Sequence, residues 1–413
     1  MTKKYKSDEI QNEWTRRKFL STVSAASAAI ILNPFSSWAL LGGDEKKAAK
    51  IVAKTLGIDT HNHIDVPLNS SELPGPKIDL VGQIKKSGLS AIVMTFAVDY
   101  QKLTEEGQAY ERFLNGLTAM DTMLELNKMK RSLTLAELKN AYKTKTPTVI
   151  QSVEGAHFLE GKIERLEVAY KRGLRHLTLL HDNDASVPLG DIFTNPPKWG
   201  GLTKFGAEVI KECERLGILV DLSHCDDNTI NGALKMMTKP FIISHTGLNT
   251  RLGNNEFMAK MMKPRLISKE QAKIVTDAGG IIGIWTHLAD TPMAFADNVK
   301  AMVDIVGIDH VAIGTDTKMT PAYRSPNNKW EERKEKPKQE KDSSNFKNNK
   351  EPKINENKKQ GGDVTNTVWP DQKQGFYFNL VDVLSKAGYT EKEIGKIGGG
   401  NYLRIFDEAT KGH

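Results

Sequence analysis

The stretch Ile58–Asp65 begins apolar and ends in metal-binding side chains: Ile58-Asp59-Thr60-His61-Asn62-His63-Ile64-Asp65. On a strand, side chains alternate between faces, so His61, His63 and Asp65 share one face. Two imidazoles and a carboxylate there suit a divalent first-row metal such as zinc. A polar surface turn has the same composition, so the other ionisable residues decide between the two. Glu154 lies in Val153-Glu154-Gly155-Ala156-His157, and the glycine lets the backbone turn sharply after the carboxylate. His224 ends Asp221-Leu222-Ser223-His224, His245 lies in Ile243-Ser244-His245-Thr246, and Asp316 ends Gly314-Thr315-Asp316. A two-metal hydrolase needs neutral imidazoles, a bridging carboxylate and a further acid near the bound water. These residues supply each part. Two metals sharing Glu154 bring the pKa of a bridging water toward neutrality and supply hydroxide.

The elements that must position these groups follow from periodicity. Strand-like apolar runs recur at Gly57–His63, Ser90–Val98, Thr148–Glu154, Leu174–His181, Ile218–His224, Pro240–His245, Gly280–His287 and His310–Asp316. Helical patterns separate them, such as Lys204–Leu216 and Ser268–Asp277, the latter opening with a capping box from Ser268 to Gln271. Strands alternating with helices imply a parallel sheet, and eight such units imply an α/β fold of the (β/α)8 TIM-barrel type. Every run but the second ends in or beside an ionisable residue: His61 and His63, Glu154, His181, His224, His245, His287, Asp316. In a barrel the carboxyl ends of all strands converge on one face, where active sites sit.

The net charge of +7 raises the question of a nucleic-acid partner. Its distribution answers it: the first 39 residues carry about +3 and the segment 324–360 about +5, leaving the body near neutral. No basic stripe or aromatic-basic motif accompanies the charge, which excludes nucleic-acid binding as a reading. Cys213 and Cys225 are far from any Cys-x-x-Cys spacing and read as buried free thiols. Thr15-Arg16-Arg17-Lys18-Phe19-Leu20, the small apolar run to Leu32 and the triplet Ser37-Trp38-Ala39 have the order of a signal peptide, and the paired arginines resemble a twin-arginine signal. This predicts a partner in the twin-arginine export machinery, a periplasmic or other extracytoplasmic location, and no membrane span in the mature chain. The divisions expected are signal 1–39, barrel body 40–323, a charged insertion 324–372 too poor in apolar residues to fold alone, and closing helices in 373–413.

The order of the motifs resembles the membrane dipeptidase (renal dipeptidase-like, peptidase M19) family of the amidohydrolase superfamily, from Asp59 to Phe406 apart from the insertion. Most specific are Glu154-Gly155-Ala156-His157, Leu177-Thr178-Leu179-Leu180-His181, Gly201-Leu202-Thr203-Lys204-Phe205-Gly206 and Asp221-Leu222-Ser223-His224; Pro264-Arg265 and Gly399-Gly400-Asn401-Tyr402-Leu403-Arg404 add to them. The resemblance implies two zinc ions per chain: His61 and His63 on the first, His224 and His245 on the second, Glu154 bridging. It implies that His181 stabilises the oxyanion at the substrate carbonyl, that Asp316 orients the bridging hydroxide and carries its proton to the leaving amine, and that Arg265 pairs with the substrate carboxylate. It further implies dipeptide substrates and a homodimer. One departure stands out. The family has His-x-Asp on the first strand, and this chain has His61-x-His63, which makes the site one charge more positive, favours zinc over hard cations and leaves Asp65 to a supporting position. His157 reads as structural, His176 as lying on the outer or core face of its strand, and His310 as lying at the opposite end of the barrel. Two alternatives stay open on sequence: a metal hydrolase of another amide, ester or lactone, and a metal-free binding barrel without activity.

Overall fold

The apolar runs become strands because their residues are buried on both faces, as a parallel sheet covered by helices requires. They are β1 (Ile58–His63), β2 (Ala91–Thr95), β3 (Thr148–Glu154), β4 (Leu174–Thr178), β5 (Leu219–Asp221), β6 (Ile242–Thr246), β7 (Ile281–Ile284) and β8 (Val311–Ile313). All pair in parallel with their sequence neighbours. The eighth strand is split. After Gly314–Asp316 it resumes as β9 (Thr317–Lys318), which pairs with β1 through Asn62↔Thr317 and His63↔Lys318. The sheet therefore closes on itself as a (β/α)8 barrel. This computed structural model describes residues 43–100, 102–193, 196–326, 363–370, 372 and 374–412. The export signal and most of the charged insertion lie outside them. A first unit ends at Lys50, and the unit Ile51–His413 carries the barrel.

Strands β4, β5, β7 and β8 stop three residues short of His181, His224, His287 and Asp316. At the rim the strands splay and the chain turns over the end of the barrel. His224 (φ 66°) and Asp316 (φ 54°) take the left-handed conformation there, which breaks the ladder and aims their side chains back across the opening.

Two helices show how far local signals carry. Thr203 caps Lys204–Leu216 by accepting from Gly206 N, and the helix buries Val209, Ile210, Cys213 and Leu216. Ser268 caps Lys269–Asp277 in the same way. The capping box predicted there is only half made, because Gln271 is buried and donates to Asn231 Oδ1 at 3.1 Å instead of returning to the cap. A tertiary partner has outcompeted the local one. The amino-terminal end of the barrel is shut by Tyr402, Ile405 and Phe406 of helix Asn401–Thr410, packed under Ile58, Val93, Ile150, Leu219, Ile242 and Ile281. Each large apolar side chain buried this way contributes about 1.5–3 kcal/mol. Asn401 Nδ2 ties the helix to the Ile308 and Val311 carbonyls, each at 2.8 Å. The Gly-Gly-Asn-Tyr motif therefore closes the floor.

The composition places 363–372 in the charged insertion, but Thr365 and Trp369 are buried. Trp369 stacks on Phe376 and donates to the Ala289 carbonyl at 2.9 Å. A single aromatic anchors the segment although the average composition is polar. Cys213 and Cys225 are free and buried. Among the described residues no helix is long and apolar enough to cross a membrane.

Candidate metal centre

Glu154 is the last residue of β3, and Gly155 turns the chain away at φ 80°. A Cβ on Gly155 would lie 2.4 Å from His157 Nδ1 and 3.0 Å from the His181 Cβ. Gly155→Ala therefore combines a left-handed alanine with a clash. The expected result is a loss of about 2–3 kcal/mol in urea unfolding; an unchanged midpoint would show that the turn is not strained.

The Glu154 carboxylate is buried at the centre of the barrel mouth. His61 Nε2 (3.3 Å) and His63 Nε2 (3.7 Å) approach it from β1. His224 Nε2 (3.0 Å), His245 Nε2 (3.6 Å) and His181 Nε2 (3.3 Å) approach from the other side. Asp316 Oδ1 lies 2.9 Å from His63 Nε2, and its Oδ2 lies 2.7 Å from His287 Nε2. Three overlapping groups of ligand atoms result: His61, Glu154 and His245; His61, His63 and Asp316; Glu154, His181 and His224.

The donor set suits divalent metal ions. Five of the imidazoles present Nε2 to the centre, because Nδ1 of each is engaged by an oxygen outside it. The pairs are His63 with Tyr100 Oη (2.8 Å), His181 with Asp99 (2.6 Å), His224 with Asp182 (3.1 Å), and His61 and His245 with Ser244 Oγ (3.3 and 2.9 Å). Such outer bonds fix tautomer and ring orientation in metal sites. The inward nitrogens then face one another, at 3.3 Å for His61 and His63 and 3.0 Å for His224 and His245. Two nitrogens at that range need a proton or a metal ion between them, and about 3.3 Å is also the edge of a tetrahedron of Zn–N bonds. Glu154 Oε2 is buried and accepts no hydrogen bond.

The electrostatics point the same way. Burial opposes ionisation of Glu154, yet the surrounding imidazoles, His181 and His61 first, hold it well below the usual carboxylate range. Asp316 is likewise held low against burial by His245 and His287. Burial works against a charged His224, but its bonds to Asp182 and Glu154 push it up to about 10. His245 goes down, through burial and then the neighbouring His61 and His224. The carboxylates thus draw positive charge to the centre, and the histidines compete for it.

The structure brings together His61, His63, Glu154, His181, His224, His245 and Asp316, and adds His287. Arg265 lies outside the cluster, at a cavity of about 290 Å³ lined by Phe193, His224, His245, Thr246 and Arg265. Its guanidinium pairs with Asp182 and lies over the Phe193 ring, 5.7 Å from the centroid. Asp65 pairs with Lys318 and acts on His63 through its charge. His157 bonds the Asn183 carbonyl, His176 packs on Tyr402 at the floor, and His310 bonds the Gly280 carbonyl at the amino-terminal end. Sequence reasoning missed Asp99, Tyr100, Asp182 and Ser244. Asp99 had a signal: it directly follows the second run, the one that otherwise lacks an ionisable end. Asp182 and Ser244 adjoin His181 and His245 but belong to residue types too common in loops to be singled out.

Residues 45–327 match the model of the membrane dipeptidase family, peptidase family M19. A dipeptidase of Clonostachys rogersoniana, verJ, is 27% identical over 190 residues, which is 44% of this chain and 46% of that protein. The chain thus spans about half of that relative's length. Among solved structures, the probable dipeptidase PvdM of Pseudomonas aeruginosa has a TM-score of 0.66 at 16% identity, covering 89% of this chain and 98% of that one. A metallo peptidase of Rhodobacter sphaeroides, solved with a phosphinate mimic of the dipeptide L-Ala-D-Ala, has a TM-score of 0.60 at 15% identity, covering 86% and 99%. These structures share the fold.

Proposed function

The chain belongs to the membrane dipeptidase family, peptidase family M19, and from that membership we propose that it is an exported zinc-dependent dipeptidase, hydrolysing the peptide bond of dipeptides that carry a free carboxylate. The observation that carries the reading is Glu154, a buried carboxylate with His61 and His63 on one side and His224 and His245 on the other. In this reading His61 and His63 would hold one zinc, His224 and His245 the second, and Glu154 would be shared between them. Bound there, the ions would supply an activated water and polarise the scissile carbonyl.

The chain's own groups do the rest. Asp316, held ionised and fixed between His63 and His287, takes the proton of the attacking water at Oδ1 and returns it to the leaving amine. Against burial, Glu154 and Asp99 raise His181 toward the protonated ring; Asp99 accepts from Nδ1–H, and the Nε2–H beside Glu154 meets the carbonyl oxygen as charge develops there. Arg265 takes the substrate carboxylate at the edge of the cavity. A cavity of about 290 Å³ suits a small ligand rather than a folded polypeptide.

Purified protein is expected to hold about two equivalents of zinc per chain and to turn over members of an L-X–D-Ala and L-X–L-X panel. No dipeptide turnover, with hydrolysis of lactones or acylated amino acids in the same panel, would move the assignment to another amide or ester. Absence of bound metal together with absence of activity would leave only a binding barrel. Export rests on Arg16-Arg17. Replacing both by lysine is expected to retain a fused reporter in the cytoplasm, and unimpaired export of that variant would remove the twin-arginine reading.

A further inference from the structure

Ser244 sits on β6 between the rings of His61 and His245, and no solvent reaches it. Its position is forced by the barrel. The Ser244 carbonyl accepts from Thr60 Oγ1 at 2.9 Å and approaches Gly283 on β7 and Gly314 just after β8. A Cβ at either glycine would fall within 2.0 Å of that oxygen (1.9 and 1.7 Å).

The Ser244 hydroxyl has one proton and two lone pairs. Four groups lie within reach: Asp221 Oδ2 at 2.6 Å, His245 Nδ1 at 2.9 Å, Ser223 Oγ at 3.2 Å and His61 Nδ1 at 3.3 Å, and of these Ser223 directs its own proton to Asp221 Oδ1. Asp221 is fully buried at the end of β5. It accepts from Ser223 N (3.0 Å), Ser244 N (3.0 Å), Ser223 Oγ (2.8 Å) and Thr178 Oγ1 (2.7 Å). So many donors around one carboxylate mark it as an ionised acceptor. Burial alone would raise the Asp221 carboxyl, but His176 and the other neighbours hold it well below the usual range. The Ser244 proton therefore points at Asp221, and both lone pairs are left for the imidazoles.

We infer that the Asp221–Ser244 pair is a positioning device that fixes His61 and His245 together as Nδ1–H tautomers, so that one hydroxyl turns an Nε2 lone pair toward each of the two metals. This rests on the metal reading proposed above. It adds that the two halves of the centre share one buried switch of hydrogen-bond polarity. Reversing the polarity at Asp221 would drive the Ser244 proton onto an imidazole and place an Nε2–H where a metal must bind.

Asp221→Asn reverses it with little change of shape, since the carboxamide can donate to Ser244. Two readouts test the inference. Nitrogen-15 NMR of histidine-labelled, metal-free wild type, at about pH 8 where most imidazoles are neutral, is expected to show His61 and His245 as Nδ1–H tautomers. Assignment comes from the signals that move in Ser244→Ala. In Asp221→Asn at least one of the two is expected to become Nε2–H, with zinc affinity in chelator competition falling about 10–100-fold. Nε2–H tautomers in the wild type would overturn the inference, as would zinc affinity within threefold of wild type in a folded Asp221→Asn. Should Asp221→Asn not fold, Ser244→Ala serves for affinity, and the wild-type tautomers decide on their own. Wild type that holds no zinc but shows both Nδ1–H tautomers would refute the metal reading and leave the hydrogen-bond assignment standing.

Discussion

Glu154→Gln is expected to lower kcat/KM for a dipeptide by about four orders of magnitude, equivalent to about 5 kcal/mol of transition-state stabilisation. The size follows from what the carboxylate touches. Its Oε1 is within 3.6 Å of Nε2 of His61, His224 and His245, and its Oε2 faces His63 and His181. Among the described residues no other carboxylate pairs with histidines on both sides of the cluster; Asp316 pairs with His61 and His63 on one side and with His287. Glutamine keeps the shape but turns an anion with four acceptor sites into an amide with one carbonyl and two N–H groups. Those N–H groups would point at imidazole nitrogens meant for a cation. Zinc content should drop from about two equivalents to one or none, and the assay should approach its background. The measurement is metal analysis beside steady-state kinetics on one protein batch. Activity within tenfold of wild type, at two equivalents of zinc, would remove Glu154 from the bridging position.

The barrel is legible because its strands are buried on both faces, so each reads as an unbroken apolar run of the right length. The site is legible for a related reason: in-strand residues such as His61, Glu154 and His245 are placed by the sheet register alone. Where the side chain comes from the turn after the strand, sequence carries less. His224 and Asp316 reach the centre through left-handed backbone that their residue types do not announce. The oxygens behind the imidazoles are further from view, because Tyr100, Asp99 and Asp182 meet their histidines across 37 to 82 positions of chain. His63 shows the difference between type and place. Its identity departs from the family's aspartate, yet its Nε2 stands in the cluster, and Tyr100 takes its Nδ1. A carboxylate at that position would need no such partner to set a tautomer. Trp369 was obscured by averaging over charged neighbours.

Arg265→Met is expected to raise KM for a dipeptide about 10²-fold, with a smaller change in kcat, and to leave the corresponding dipeptide amide nearly unaffected. Removing one partner from a desolvated charge pair costs about 2–5 kcal/mol, and the guanidinium here is mostly buried at the cavity edge (21% exposed). The amide is the necessary control. Arg265 also holds Asp182, whose other oxygen takes Nδ1 of His224. If arginine acted only by bracing that pair, the loss would fall on kcat and on zinc affinity, and would be equal for dipeptide and amide. A selective loss on the free acid assigns the residue to the substrate carboxylate. Arg265→Lys separates charge from shape: it keeps the cation but lacks the planar fork that serves Asp182 and a second carboxylate at once, so it should recover part of the affinity and remain about tenfold weaker than wild type. Asp182 competes with substrate for the same guanidinium. Asp182→Asn should therefore lower KM for the free acid while weakening the hold on His224, and a variant in which both KM and kcat stay unchanged would show that the pair does not reach the substrate.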